Sequence, residues 1–229
     1  MAMKLQYYGH SCFSIEVGGK IILFDPFITG NPLAKAIDVN GIKCDYILIS
    51  HGHADHVADA ALIAKNNDAI IISNYEIVNW FADKQGCTKG HPMNHGGSWQ
   101  FDFGKVKYVN AVHSSVLPDG TYGGNPGGFV ITTKEGNFYY AGDTCLTMDM
   151  KLIPMFTNLD FAVLPIGNNF TMDIEEAVIA ADFIECDKIV GVHYDTFGFI
   201  EINHAAAKKA FDDNDIELLL LDIGETIDL

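Results

Sequence analysis

The 229-residue chain carries 14 basic and 30 acidic residues, and its formal charge of −16 disfavours nucleic acid and anionic membrane as partners. With 48% hydrophobic residues it suits one domain over residues 1–229, long enough to bury roughly 70–75% of its unfolded surface without disulfides or a structural metal. No apolar run approaches the ~20 residues of a membrane span, no signal-peptide pattern precedes the first strand, and Cys12, Cys44, Cys87, Cys145 and Cys186 form no CxxC pair, so a cytoplasmic, reducing setting is expected.

In chain order, β-branched and aromatic runs predict strands at Lys4–Tyr8, Cys12–Val17, Lys20–Phe24 and Tyr46–Ser50. A helix over Val57–Asn66, a strand Ala69–Ser73 and a helix Asn74–Gln85 follow, the last with Ile77, Val78 and Phe81 on one face. Strands are expected near Ser98–Phe101, Val106–Val112, Phe129–Thr133, Asn137–Ala141 and Phe161–Pro165. Asp173, with Glu176 three residues on, is a capping pair for a helix through Glu185. A strand Lys188–Val192, a helix His204–Asp212 and strands Glu217–Leu221 and Glu225–Asp228 close the series. Pro26–Lys43, the segment with His91 and His95, and the glycine-rich Tyr122–Gly128 read as loops. Strands at both ends with helices interleaved predict an α+β fold of two sheets covered by helices.

The chemistry concentrates in Ser50-His51-Gly52-His53-Ala54-Asp55-His56, an HxHxDH run after an apolar strand. Residues two apart in extended chain point the same way, so His51 and His53 can reach one ion; the helix that follows turns Asp55 and His56 toward a second. Imidazole and carboxylate suit Zn, Mn, Fe or Ni. His113, Asp143, His193 and Asp25 each follow their own predicted strand, and strand ends of layered α/β folds tend to converge on functional sites. Asp25 is expected to orient a ligand histidine from behind, or to form a strand-end turn. His10 lies in a Gly-His-Ser turn between two predicted strands, where a structural role is one reading. His91 and His95 read as solvated loop histidines, with a pocket rim as the other reading, and His204 as structural. Asn168, Asn169 and Thr171 read as a polar turn that can also present donors to an anion, and the glycine-rich loop as a turn near the pocket. No GxSxG elbow or cysteine nucleophile signature is present.

The HxHxDH run, His113, the Asp143 of "AGDT" and the His193 of "VHYDTF" resemble the successive motifs of the metallo-β-lactamase superfamily across nearly the whole chain. More narrowly, Gly9-His10-Ser11, Asp25–Pro32 (DPFITGNP), Asp149–Ile153 (DMKLI) and Pro165–Met172 (PIGNNFTM) resemble a family of uncharacterised prokaryotic metal-dependent hydrolases. That family is similar to ascorbate-6-phosphate lactonases and, more distantly, to N-acyl-phosphatidylethanolamine phospholipases. The narrower resemblance makes His10 a pocket candidate for contact with substrate or leaving group, beside the structural-turn reading, and its pattern has an aliphatic residue where His95 stands. The resemblance implies a four-layer αββα sandwich with two mixed sheets. It assigns His51, His53 and His113 to one metal, Asp55, His56 and His193 to a second, and Asp143 to a bridge.

Two divalent cations ~3.5–4 Å apart can share and acidify a water, so this ligand set implies hydrolysis of a small ester, lactone or phosphate ester by metal-bound hydroxide. Asp55 is then both ligand and candidate proton acceptor, and zinc the leading cofactor. A small-molecule substrate is the expected partner, and homo-oligomerisation is left open. A non-hydrolytic di-iron redox protein is the alternative, but such members of the superfamily carry Glu where His53 stands. A metal-bearing sensor of the same fold is a third.

Overall fold

The computed structural model describes residues 3–229. Its first sheet is built from β1 (Lys4–Gly9), β2 (Cys12–Val17), β3 (Lys20–Phe24), β4 (Tyr46–Leu48), β5 (Ile70–Asn74) and β6 (Gly90–Met93), with β14 (Thr226–Asp228) beside β1. The second runs β7 (Ser98–Gln100), β8 (Lys105–Asn110), β9 (Gly127–Thr132), β10 (Asn137–Tyr140), β11 (Phe161–Pro165), β12 (Lys188–Val192) and β13 (Glu217–Leu219), side by side in that order. Both sheets are mixed: β1 to β3 and β7 to β10 form antiparallel meanders, while β3 to β6 and β10 to β13 are parallel.

Helices α1 (Ala54–Val57), α2 (Ala60–Asn67) and α3 (Tyr75–Gln85) belong to the first half, α4 (Ile174–Phe183) and α5 (His204–Asp212) to the second. Three apolar clusters separate the layers. Phe13, Phe24, Phe129, Phe138 and Tyr140 meet between the sheets. Ile63, Ile77 and Phe81 pack from α2 and α3 onto Ile47 and Ile71, while Ala177, Ala180 and Phe211 pack from α4 and α5 onto Leu164 and Ile189. The order is therefore helices, sheet, sheet, helices, as expected. Strands covered on both faces read as continuous apolar runs, which is why Phe161–Pro165 and Lys188–Val192 agree residue for residue with the sequence expectation.

Two expectations need correction. The predicted helix Val57–Asn66 is two helices: α1 starts three residues earlier, at Ala54, and Asp59 interrupts the run. The Asp59 carboxylate is drawn away to accept hydrogen bonds from Ile28 N (2.6 Å), Thr29 N (2.9 Å) and Thr29 Oγ1 (2.6 Å), tying the Pro26–Lys43 loop to the helices. The segment before His95 is not all loop, because Gly90–Met93 adds an edge strand parallel to β5. Short 3₁₀ turns at Val39–Gly41 and Met148–Leu152 also lie where no element was expected.

The capping pair does form: Asp173 Oδ1 accepts from Glu176 N at 2.8 Å, and Glu176 Oε2 accepts from Asp173 N at 3.3 Å. Asp173→Ala is expected to cost about 1 kcal/mol and lower Tm by about 2–4 °C in a thermal melt, without changing metal content. Among the described residues, no helix is long and apolar enough to cross a membrane, and all five cysteines are unpaired.

Candidate metal centre

The strand directions bring the predicted residues to one edge. β1 runs parallel to β3 across the intervening β2, so the turn at His10 lies beside Asp25, just past β3, and His51, beyond β4. In the second sheet, β8 runs parallel to β10 across β9, and β12 runs parallel to β10 across β11, so His113, Asp143 and His193 also leave one edge. The two edges are stitched together where His193 N donates to His10 O at 2.9 Å. His10, Asp25 and His193 all adopt positive φ (57°, 39° and 59°), a conformation that costs energy for residues with a Cβ and persists where surroundings enforce it. Gly142, at φ 63°, has no such cost, and a Cβ there would lie 2.7 Å from Ser50 Cβ, so glycine lets Asp143 approach the HxHxDH run.

Two donor groups face one another, each with its ligand-type atoms within 4.8 Å: His51, His53 and His113; and His10, Asp55, His56 and His193; a third, Asp25 with His51 and His56, takes one histidine from each. Asp143 joins them. Its Oδ2 lies 3.0 Å from His193 Nε2, 3.3 Å from His56 Nε2, 3.6 Å from His113 Nε2 and 3.8 Å from His51 Nε2. His51, His56, Asp143 and His193 are buried, whereas His53 and Asp55 are half-buried and face a cavity.

Hydrogen bonds behind these donors set their tautomers. Asp25 is fully buried, and its Oδ2 accepts from Tyr140 Oη (2.5 Å), Ser50 Oγ (2.5 Å) and His56 Nδ1 (2.8 Å), while Oδ1 accepts from Ser50 N (2.7 Å). A hydroxyl has one proton, so Ser50 Oγ, already donating to Asp25, accepts from His51 Nδ1 at 2.9 Å. Asp25 thus engages the Nδ1 side of both rings, directly for His56 and through Ser50 for His51, and leaves both Nε2 atoms on the side of Asp143, where His51 Nε2 also lies 2.9 Å from His53 Nδ1. His10 is also held: a carboxylate only accepts, so His10 Nε2 donates to Asp55 Oδ2 (3.2 Å), while His10 Nδ1 lies 3.0 Å from Thr196 Oγ1, which donates to Tyr194 O at 3.3 Å.

The electrostatics ask for positive charge. Burial and neighbouring His56 push the His51 pKa well below the ordinary value, and burial lowers His53 and His113 too, keeping them in the neutral form that ligates. Burial disfavours charge on His56, yet Asp143 and Asp25 outweigh it and hold that pKa well above the ordinary value. Burial likewise opposes ionisation of Asp143 and Asp55, but His193 and His56 hold Asp143, and the His10 hydrogen bond holds Asp55, below the usual carboxylate range. Burial, aided by His193, takes His10 down to about 4. His56 Nε2, Asp143 Oδ1 and His193 Nδ1 are buried with no hydrogen-bond partner, which costs free energy unless a cation or proton satisfies them. Five imidazoles and two carboxylates with such orphaned atoms fit divalent cations that favour N/O ligands.

His10 does not line the cavity; its side chain is fully covered and sits behind Asp55. Of the two readings of His10, the geometry gives a contact with Asp55 rather than with the cavity. His95 Nε2 donates to Pro126 O at 2.8 Å and its ring stacks on Tyr108, while His91 packs against Trp99 and Phe101, so neither joins the site. His204 Nε2 donates to Asp195 Oδ2 at 2.6 Å. The glycine-rich loop buttresses the site: Gly127 N donates to Ser50 O at 3.1 Å. Asn168 and Asn169 form a turn with φ 64° and 57° and do not line the cavity, but Phe170 beside them does. The sequence reading missed Tyr140, Thr196, Ser114 (its Oγ 3.2 Å from His53 Nε2) and the cavity aromatics; "TFGF", shortly after His193, was the available signal.

Residues 4–193 match the family model described as the beta-lactamase superfamily domain. A UPF0173 metal-dependent hydrolase of Flavobacterium johnsoniae is 65% identical over 99% of this chain and 100% of its own length, and one of Christiangramia forsetii is 60% identical over 99% and 100%. Among solved structures, Igni18, a metallo hydrolase of the archaeon Ignicoccus hospitalis, superposes with TM-score 0.87 at 34% identity, covering 99% of this chain and 98% of that one. Strand-end histidines and aspartates, orphaned donor atoms and whole-length similarity agree: the chain belongs to the metallo-β-lactamase superfamily, as a metal-dependent hydrolase.

Proposed function

We propose that this hydrolase cleaves a small ester, lactone or phosphate ester at a two-cation centre. His51, His53 and His113 would hold one ion, Asp55, His56 and His193 the other, with Asp143 between them. The observation that carries this reading is the position of Asp143 Oδ2, within 3.0–3.8 Å of four imidazole nitrogens drawn from both donor groups. Zinc suits the donor set best, with Mn, Ni or Fe as substitutes. When bound, such cations supply Lewis acidity and bring the pKa of water toward neutrality.

The chain's own residues do the rest. Asp143 and Asp55, ionised despite burial, supply negative charge where it would otherwise be absent. Asp55, partly open to the cavity and pinned by His10, is the proton acceptor for the attacking water. Ser114 steadies His53, and Phe27 and Phe197 keep the inner wall dry. The unpaired cysteines suit a reducing, cytoplasmic setting.

Elemental analysis and a panel of esters, lactones and phosphodiesters, run on one preparation, test this reading. Two metal equivalents with turnover are expected, and His113→Ala or Asp55→Ala should each reduce turnover by about 10²-fold or more. Verified occupancy with no cleavage anywhere in the panel would sink it.

A further inference from the structure

The cavity above the centre, about 790 Å³, is lined by four aromatic rings, Phe27, Phe170, Phe197 and Phe199. These aromatics come from three separate loops. Phe27 follows Asp25; Phe170 lies in the turn before α4; Phe197 and Phe199 flank Gly198 in the segment between β12 and α5. Phe170 and Phe199 lie edge to face at 6.3 Å, and Phe27 and Phe197 are also 6.3 Å apart.

The segment that carries Phe199 is built rather than loose. Asp195 Oδ1 accepts from Ile202 N (3.0 Å), Asp195 N donates to Ile200 O (2.8 Å), and Ile200 N donates to Phe197 O (2.9 Å). Yet this bonded turn holds Phe199 outward at 77% exposure, with Phe170 at 50%, at the mouth of the cavity. Two large apolar rings held in water beside reacting groups are costly unless a ligand covers them.

Charge decides the ligand's chemistry. The chain contains no arginine; all 14 basic residues are lysines, and none lines this cavity. Away from the cation-binding donors, the cavity therefore offers no fork of donors for a phosphate or carboxylate tail. With a net charge of −16, the surrounding field also disfavours a second anionic group on the substrate.

The geometry points to an uncharged carboxylic ester or lactone whose acyl part is a hydrocarbon chain or ring seated on this aromatic wall. The assignment rests on the hydrolase reading above and narrows it. In the reaction, the acyl carbon gains a bond to water oxygen and loses its bond to the alkoxy oxygen. One water proton ends on the leaving oxygen, so ester and water become acid and alcohol.

Metal-loaded protein is assayed on p-nitrophenyl acetate, butyrate, hexanoate and octanoate, and on bis(p-nitrophenyl) phosphate. Calorimetry follows binding of the matching uncleaved alkyl amides to metal-loaded and metal-free protein. Both kcat/KM and amide affinity should climb with chain length, by up to about fourfold per buried methylene until the cavity is filled. Phe199→Ser and Phe170→Ser should flatten both slopes. Phe156→Ser, in a different cavity beside Lys107, should leave them as they are. A flat or falling amide series, or a phosphodiester turned over faster than every acyl ester, overturns the proposal while leaving the hydrolase reading standing. A full amide slope with no hydrolysis of any ester upholds the apolar subsite and overturns the hydrolase reading instead.

Discussion

Asp143→Ala should lower kcat/KM by more than about 10³-fold and leave the purified protein short of at least one metal equivalent. Losing a single electrostatic donor in an active site typically costs about 10²–10³-fold, and Asp143 serves two donor groups at once. Its Oδ2 is within 4 Å of nitrogens from His51, His56, His113 and His193. Without the carboxylate those imidazoles face one another, and His56 loses the neighbour that contributes most to raising its pKa. Asp143→Asn separates shape from charge, because it keeps the side-chain volume but removes the anion. Asn should retain more metal than Ala yet still fall by about two orders of magnitude in turnover. Elemental analysis with kcat/KM on the same samples checks both variants. Two equivalents and near-normal turnover in Asp143→Ala would remove Asp143 from the centre.

The parts legible from sequence share a local cause. Histidines two apart after an apolar strand, and metal-capable residues just past four other strands, are patterns of extended chain, so His51, His53, His113, Asp143, His193 and Asp25 could be gathered before any coordinates. What escaped depends on contacts between distant segments. Gly90–Met93 contains glycine and proline and looks like a break, but the exposed edge of β5 accepts it as a strand. Asp59 splits a helix because the Ile28–Thr29 backbone, some 30 positions earlier, claims its carboxylate. Tyr140 reads as an ordinary core residue of β10. Its ring does pack against Phe13 and Phe24, but its hydroxyl crosses from the inter-sheet core to Asp25. Phe199 carries no periodic signal, since only the folded loop places it at the cavity mouth.

Asp25 is where core and site meet, and Asp25→Asn is the second large-effect substitution. An amide cannot accept three hydrogen bonds on the atom that faces Tyr140, Ser50 and His56 while also accepting from Ser50 N. Whichever way it flips, buried donors are left unpaired, at about 1–3 kcal/mol each, and removing one partner from a buried charged network costs about 3–5 kcal/mol. Denaturant unfolding should show a loss of that order. Metal affinity, measured by chelator competition, should fall about 10–100-fold, the usual effect of disturbing a group that orients ligands. Two further variants divide the network. Tyr140→Phe removes one donor to the carboxylate but leaves both histidine tautomers in place, so it should cost about 1 kcal/mol of stability with little change in metal affinity. Ser50→Ala removes the link to His51 but keeps Asp25 on His56, so at the proposed two-cation centre it should weaken one ion more than the other and make the chelator titration biphasic. Equal loss of both ions in Ser50→Ala, or unchanged affinity in Asp25→Asn, would show that the carboxylate holds the fold without setting the ligands.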